Sequence, residues 1–260
     1  MKKGGRLSKC LLLIFGAALF LSAGMVLHII ASGQAEKAAF HKLEECIEDE
    51  MPYVEQTTAC KKQSASGEEL SPYSALKEQN PDFFGWLSIE ETELSYPVMY
   101  TPEDPEYYLR RDFEGNKSLG GVPFLSASCH EGGGNYLIYG HNMKNGSMFS
   151  TLLSYSDQKY WQEHPTIQFD TLDTTGEYLV MGAFYAKVHQ QDETDVFRFY
   201  QYDDLTSKNV FDEYVKQVQD EALYDTGICA EFGDQLLTLV TCSYHTNNGR
   251  FVVVARKQAK

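Results

Sequence analysis

The chain begins with one unbroken apolar stretch and then changes texture twice. Residues 10–31 carry no charged side chain apart from His28. As a helix rising about 1.5 Å per residue, they would reach roughly 33 Å, enough for a bilayer core of about 30 Å. Beyond them, Ala39, Leu43, Cys46, Ile47 and Met51 recur at spacings of three and four among charged residues, which predicts an amphipathic helix over 35–51. Residues 61–72 are polar and rich in breakers, so a loop is expected there. Pro72 suits the first turn of a short helix through residue 79, which Asn80-Pro81 ends.

From Phe83 the pattern shortens to β-branched and aromatic runs divided by Gly, Pro and Asp. Strands are predicted at 85–89, 94–100, 122–126, 136–139, 166–170, 178–188, 236–241 and 251–255. Two helices interrupt them, at 149–163 and 207–223, the second with Val210, Phe211, Tyr214, Val215 and Val218 on one face. Many short strands with few helices predict a mainly β fold, a closed or nearly closed barrel of about eight strands. The implied organisation is a basic tail (1–9), an apolar span (10–31), a helical segment and loop (32–71) and a globular body (72–260).

Charge sharpens this picture. Lys2, Lys3, Arg6 and Lys9 all precede the apolar run and the first acidic residue, Glu36. The positive-inside rule then leaves the N-terminus cytoplasmic and the body outside, as for a signal anchor. A cleaved signal peptide with Ala31-Ser32-Gly33 as its cleavage site is the competing reading. Cleavable apolar regions usually run about 7–15 residues, so length favours the anchor. Of 22 basic residues the tail takes four, leaving 18 against 37 acidic ones in the remainder. That excess argues against a protein that grips nucleic acid through its phosphates. The 43% hydrophobic content excludes a disordered chain.

Six cysteines in an exported chain would suggest disulfides. With Cys10 at the membrane, however, Cys46, Cys60, Cys129, Cys229 and Cys242 are odd in number, so at least one thiol stays free. The segment most apt for chemistry is the apolar run Leu236 to Thr241 ending at Cys242, a polar loop closing in Asn247-Asn248-Gly249, and a second apolar run opening at Arg250. Paired antiparallel, facing residues lie about 5 Å apart, so thiol and guanidinium would converge. A cysteine at a strand mouth beside a fixed cation is in a setting that favours reactivity.

A nucleophilic thiol needs an acid/base partner. His28 lies in the apolar run and His41 on the helix that follows, both out of reach. His164 precedes Pro165, while His130 and His189 sit in polar connections without a local motif. His245 is close in sequence but lies on the loop tip. His141, at the mouth of the strand in Asn135-Tyr136-Leu137-Ile138-Tyr139-Gly140-His141-Asn142, is the expected partner. No His/Cys cluster has zinc spacing, so neither a metal nor a cofactor is expected. Asp203-Asp204 is read as a solvated helix entrance.

The pentapeptide Thr238-Leu239-Val240-Thr241-Cys242 resembles the TLxTC signature of sortases, the cysteine transpeptidases of Gram-positive cell surfaces. Arg250 falls where that family places its arginine, and Tyr139-Gly140-His141-Asn142 with Gly146-Ser147-Met148-Phe149 resembles the segment around its histidine. Asn80-Pro81-Asp82, Gly85-Trp86-Leu87, Tyr96-Pro97-Val98, Tyr107-Tyr108-Leu109 and Asp112-Phe113 add landmarks in family order. The resemblance covers about residues 72–256. With a helical N-terminal extension, a long helix between late strands and no C-terminal apolar segment, the chain looks most like class B. Two departures stand out. Val240 occupies a position often serine in class B, and Ser243-Tyr244-His245 replaces an acidic residue often found after the cysteine.

The resemblance implies a sortase-like barrel in 72–260 with Cys242 as nucleophile, His141 as acid/base and Arg250 as substrate clamp and oxyanion stabiliser. It implies secreted proteins bearing a C-terminal sorting signal, NPQTN-like or related, as substrates. The acceptor would be an amino group of the cell-wall precursor or a pilin lysine. Thr241, Leu239, Tyr244, Asn142 and Ser147 are candidate substrate-groove residues, although each also suits local turn or strand chemistry. Free thiols and imidazoles titrate near 8.5 and 6.5, so the thiolate–imidazolium pair is a minor form at neutral pH and a slow enzyme is expected. The contrasting reading is an anchored β-barrel binding module with Cys242 buried in its core. L,D-transpeptidases and papain-like hydrolases fit less well. The former should show His-Gly-Cys at the nucleophile, and the latter place cysteine before histidine.

Overall fold

The structure, a computed structural model, describes residues 4–50, 71–130 and 132–258. Met51, Cys60 and most of the loop expected at 61–72 lie outside the described residues. The chain divides into two units, Met1–His41 and Lys42–Lys260. In the first, helix α1 (Gly4–Glu50) begins and carries the apolar span. It is the one helix among the described residues long and apolar enough to cross a membrane. Its apolar side chains lie open, Phe15 being 70% and Phe20 80% exposed. No break separates the span from the amphipathic helix expected after it. In the second unit the end of α1 buries Leu43 and Ile47, and Glu44 accepts a hydrogen bond from Ser95 Oγ at 2.6 Å. Ala39, expected on the apolar face, is exposed.

The rest of the second unit is a closed barrel. After the short helix α2 (Ser74–Gln79) come β1 (Phe83–Ser88), β2 (Ser95–Met99), β3 (Phe124–Leu125), β4 (Asn135–Tyr139), β5 (Thr166–Thr171), β6 (Glu177–Lys187), β7 (Leu236–Cys242) and β8 (Gly249–Lys257). Around the barrel the order is β1-β2-β3-β4-β7-β8-β6-β5, with β2–β3 and β4–β7 parallel and the other pairs antiparallel. All eight predicted strands are present. β3 is shorter than its 122–126 pattern because Pro123 has no N–H to donate and Val122 N–H turns to Tyr108 O. The helix expected over 149–163 is split. Phe149–Ser156 winds as a 3-10 helix, and α3 (Gln158–Glu163) starts afresh after Asp157. Asp157 is extended and caps α3, its carboxylate accepting from Lys159 N–H at 3.0 Å.

Side-chain parity separates the two faces of β4 and β7. Tyr136 packs on Phe84 and Phe169 across the barrel interior. Asn135 faces the other way, toward the cover formed by helix α4 (Lys208–Glu221) in the β6–β7 connection. α4 buries Phe211, Tyr214, Val215 and Val218, which are four of the five residues its periodicity marked. A buried polar relay fixes α4 to the sheet. Thr238 Oγ1 donates to Asn135 Oδ1 at 3.0 Å, so Tyr214 Oη is the donor across its 2.6 Å contact with Thr238. Asn135 Nδ2 in turn donates to Tyr202 O at 2.7 Å. Each member has a partner, the condition for burying polar groups without penalty.

Candidate active site

Three strand ends meet on this outer face. Cys242 closes β7 and is directly opposite Arg250 of β8. β4 runs parallel to β7 with Tyr139 opposite Val240. The ladder stops there, but Thr241 Oγ1 donates to Gly140 O at 2.8 Å and Asn142 Nδ2 to Cys242 O at 2.9 Å, so the segment that carries His141 runs beside the end of β7. Cys242 and Arg250 thus face each other across β7 and β8, and the segment just past β4 brings His141 to the same end of the barrel. Cys242, His141 and Arg250 are each half-buried, so the core-cysteine reading fails for Cys242. It describes Cys129 instead, which is 1% exposed, is pushed up to about 12 by burial, and takes the Leu137 N–H on its sulfur at 3.3 Å.

Local sequence dictates the geometry at each strand end. Gly140 is needed before His141 because a Cβ there would stand 2.5 Å from the Phe149 ring packed beneath. Gly249 opens β8 because a Cβ would meet Ser243 O at 2.4 Å. Asn248, with φ of 55°, supplies the left-handed residue that turns the loop back.

His141 Nε2 lies 2.8 Å from Leu109 O. A carbonyl only accepts, so Nε2 holds a proton, and the proton that comes and goes is on Nδ1. Burial lowers the imidazole pKa below its ordinary value. The Leu109 bond works against this, and the Arg110 charge adds to it. Arg250 Nη1 donates to Gly249 O at 3.0 Å, which ties the guanidinium to its own loop and leaves its other donors for a ligand. Leu109 is the site contributor that sequence reasoning missed. It belongs to the 3-10 turn Tyr107–Arg110 and acts through a backbone oxygen, for which no side-chain pattern exists.

The remaining candidates separate. Asn142 Nδ2 donates to Cys242 O at 2.9 Å. Thr241 and Leu239 have the opposite parity to Cys242 and are buried at 1% and 0%. Thr241 Oγ1 donates to Gly140 O at 2.8 Å, whereas Leu239 is part of the core. Ser147 is buried in the loop after His141, donating to Asn145 Oδ1 at 2.7 Å. Tyr244 stands 76% exposed on the β7–β8 loop. His245 is exposed there too, with Nδ1 3.0 Å from Ser243 Oγ and its ring 4.8 Å from that of Tyr185. Asp204 accepts from Thr206 N–H at 2.9 Å, but α4 is entered at Ser207, whose side chain makes no cap bond, and Asp203 is half-buried and accepts from Ser126 Oγ at 3.2 Å, so neither aspartate caps the helix. Cys46, Cys129, Cys229 and Cys242 are all unpaired. Among the described residues no group of His, Cys, Asp or Glu is arranged to hold a metal.

A closed mixed barrel that brings a half-buried cysteine, a histidine and an arginine to the same end has the parts a cysteine acyl-transfer enzyme needs. Residues 87–258 match the sortase domain, and the chain belongs to the sortase family of cysteine transpeptidases. It is 28% identical over 201 residues to sortase B of Listeria monocytogenes, covering 76% of this chain and 78% of that protein. The barrel and its helical additions match the crystal structure of sortase B from Bacillus anthracis in complex with AAEK2, with a TM-score of 0.69 and 26% identity over 87% of this chain and 97% of that one. A Staphylococcus aureus sortase B–substrate complex matches in fold, with a TM-score of 0.70 and 22% identity over 88% and 98%. The class B likeness thus agrees with the sequence landmarks.

Proposed function

We propose that this chain is a class B sortase held at the cell membrane by residues 10–31, with residues 1–9 cytoplasmic and the catalytic domain 72–260 outside. It cleaves the C-terminal sorting signal of secreted proteins after threonine and passes the new acyl end to an amine. The observation that carries this reading is the pairing of Cys242 with Arg250 at the mouth of β7 and β8, with the segment that carries His141 bonded alongside through Asn142 and Thr241. The thiolate of Cys242 attacks the threonine carbonyl carbon, and the developing oxyanion is met by Arg250. As the C–N bond breaks, Nδ1 of His141 gives its proton to the departing amine, leaving a thioacyl-enzyme. An incoming amine attacks the thioester, Nδ1 takes its proton, and the thiolate of Cys242 departs.

The substrate is an NPQTN-like or related signal, and the acceptor an amino group of the peptidoglycan precursor or a pilin lysine. The Staphylococcus aureus relative was captured with a substrate, which supports the same groove here. Tyr244, and the loop that Ser147 stabilises, contribute to that groove, with Leu239 and Thr241 supporting it from beneath. The test is a cleavage assay with full-length protein in detergent, a panel of threonine-containing signal peptides, and glycyl or lysyl amines as acceptors. Ligated product from wild type, and none from Cys242→Ala, is expected. Equal turnover by Cys242→Ala refutes the mechanism.

A further inference from the structure

The β4–β7 ladder ends at Tyr139 and Val240, two residues short of His141 and Cys242, and side chains take over beyond it. Gly140 N–H still reaches Val240 O at 3.0 Å. Past that point Thr241 Oγ1 donates to Gly140 O at 2.8 Å and Asn142 Nδ2 donates to Cys242 O at 2.9 Å. The cause is local. The backbone of Asn142 has turned away from β7 to bridge Met148, and His141 O is taken by Phe149 N–H at 2.8 Å. The strands part at His141 and Cys242, and a carbonyl without its ladder donor is met by a side-chain amide. The peptide between Cys242 and Ser243 is consequently held at both ends, its oxygen by Asn142 and its N–H by Gly249 O at 3.0 Å.

We propose that Asn142 is a positioning residue of the transpeptidase, fixing the Cys242 peptide and through it the place of the thiol relative to His141. One torsion separates the cysteine sulfur from its backbone, so the orientation of that peptide sets most of the sulfur's position. The role needs a short side chain with an N–H donor. Aspartate has the same size but only accepts when ionised, and alanine offers nothing. Asn142 therefore acts on the nucleophile even with no substrate present, which separates it from a residue that only lines the groove.

The proposal rests on the transpeptidase reading for its kinetic arm alone. In the first arm, full-length wild type and Asn142→Ala in detergent are alkylated with iodoacetamide, without peptide, across pH 5 to 10. Modification is followed by mass spectrometry on the Cys242-containing fragment, because Cys229 is also a free thiol and is exposed. The rate plateau or its midpoint is expected to move, the plateau by more than threefold. In the second arm, turnover of a signal peptide should show kcat lowered by about 10- to 100-fold, the scale of a small misplacement of reacting groups, with KM within threefold of wild type. Asn142→Asp, which keeps the volume and removes the donor, should lower kcat in the same way and covers the case of a poorly folded alanine variant. An unchanged alkylation profile with unchanged kcat, or a raised KM alone, overturns the proposal. If wild type turns over no peptide, the transpeptidase reading fails while the alkylation arm still decides the role of Asn142.

Discussion

Burial lowers the His141 imidazole and Arg110 lowers it further, while the bond to Leu109 O opposes them. An NMR titration of His141 is therefore expected to show a midpoint below 6.5, and Arg110→Ala should raise it by removing a like charge. A midpoint above 6.5 would contradict the placement of the ring. Because the folded value lies below the unfolded one, the stability contributed by neutral His141 is fully present above pH 6.5. It is lost as pH falls through 6.5 toward the folded value. Among substitutions, Arg250→Ala is expected to cost on the order of a thousandfold in kcat/KM with the fold intact, as for removal of an oxyanion donor, and His141→Ala to leave a trace. His245→Ala should keep most activity in the same peptide assay, since its ring is exposed on the β7–β8 loop and is engaged by Tyr185 and Ser243. Loss of activity in His245→Ala alone would reverse the histidine assignment.

The strands were legible in the sequence because alternation and β-branched content are local signals, and the convergence of Cys242 and Arg250 because both sit at the mouths of paired strands. Features that depend on tertiary contact were not legible. The break at Asp157 arises because a capping carboxylate competes with a continuous helical pattern. Leu109 enters the site through a carbonyl. The groove assignments of Thr241 and Leu239 overlooked parity, since odd-numbered residues of β7 point into the barrel when Cys242 points out. The relay from Tyr214 through Thr238 to Asn135 is likewise invisible in sequence, although Thr238 is part of the signature pentapeptide. Thr238→Val removes the hydroxyl that accepts from Tyr214 and donates to Asn135 Oδ1. Chemical denaturation should show a loss of about 1–3 kcal/mol. An unchanged midpoint and slope would mean the relay adds nothing to the docking of α4.

At the scale of the whole molecule, the exposed apolar flank of α1 and the acidic body lead to one expectation for topology. The full-length chain should resist carbonate extraction from membranes, and a protease added outside intact cells should reach the body. A chain lacking residues 1–31 should be recovered in the soluble fraction. Release of the full-length chain by carbonate would contradict the anchor.

The central claim is a covalent one, that Cys242 carries an acyl group between two amines. Its most direct test is the intact mass of the full-length protein after incubation with sorting-signal peptides and no acceptor. The account predicts a gain equal to the peptide fragment ending at threonine, located on Cys242, absent from Cys242→Ala and discharged by added amine. An adduct that forms equally in Cys242→Ala, or one that amine fails to discharge, would contradict it.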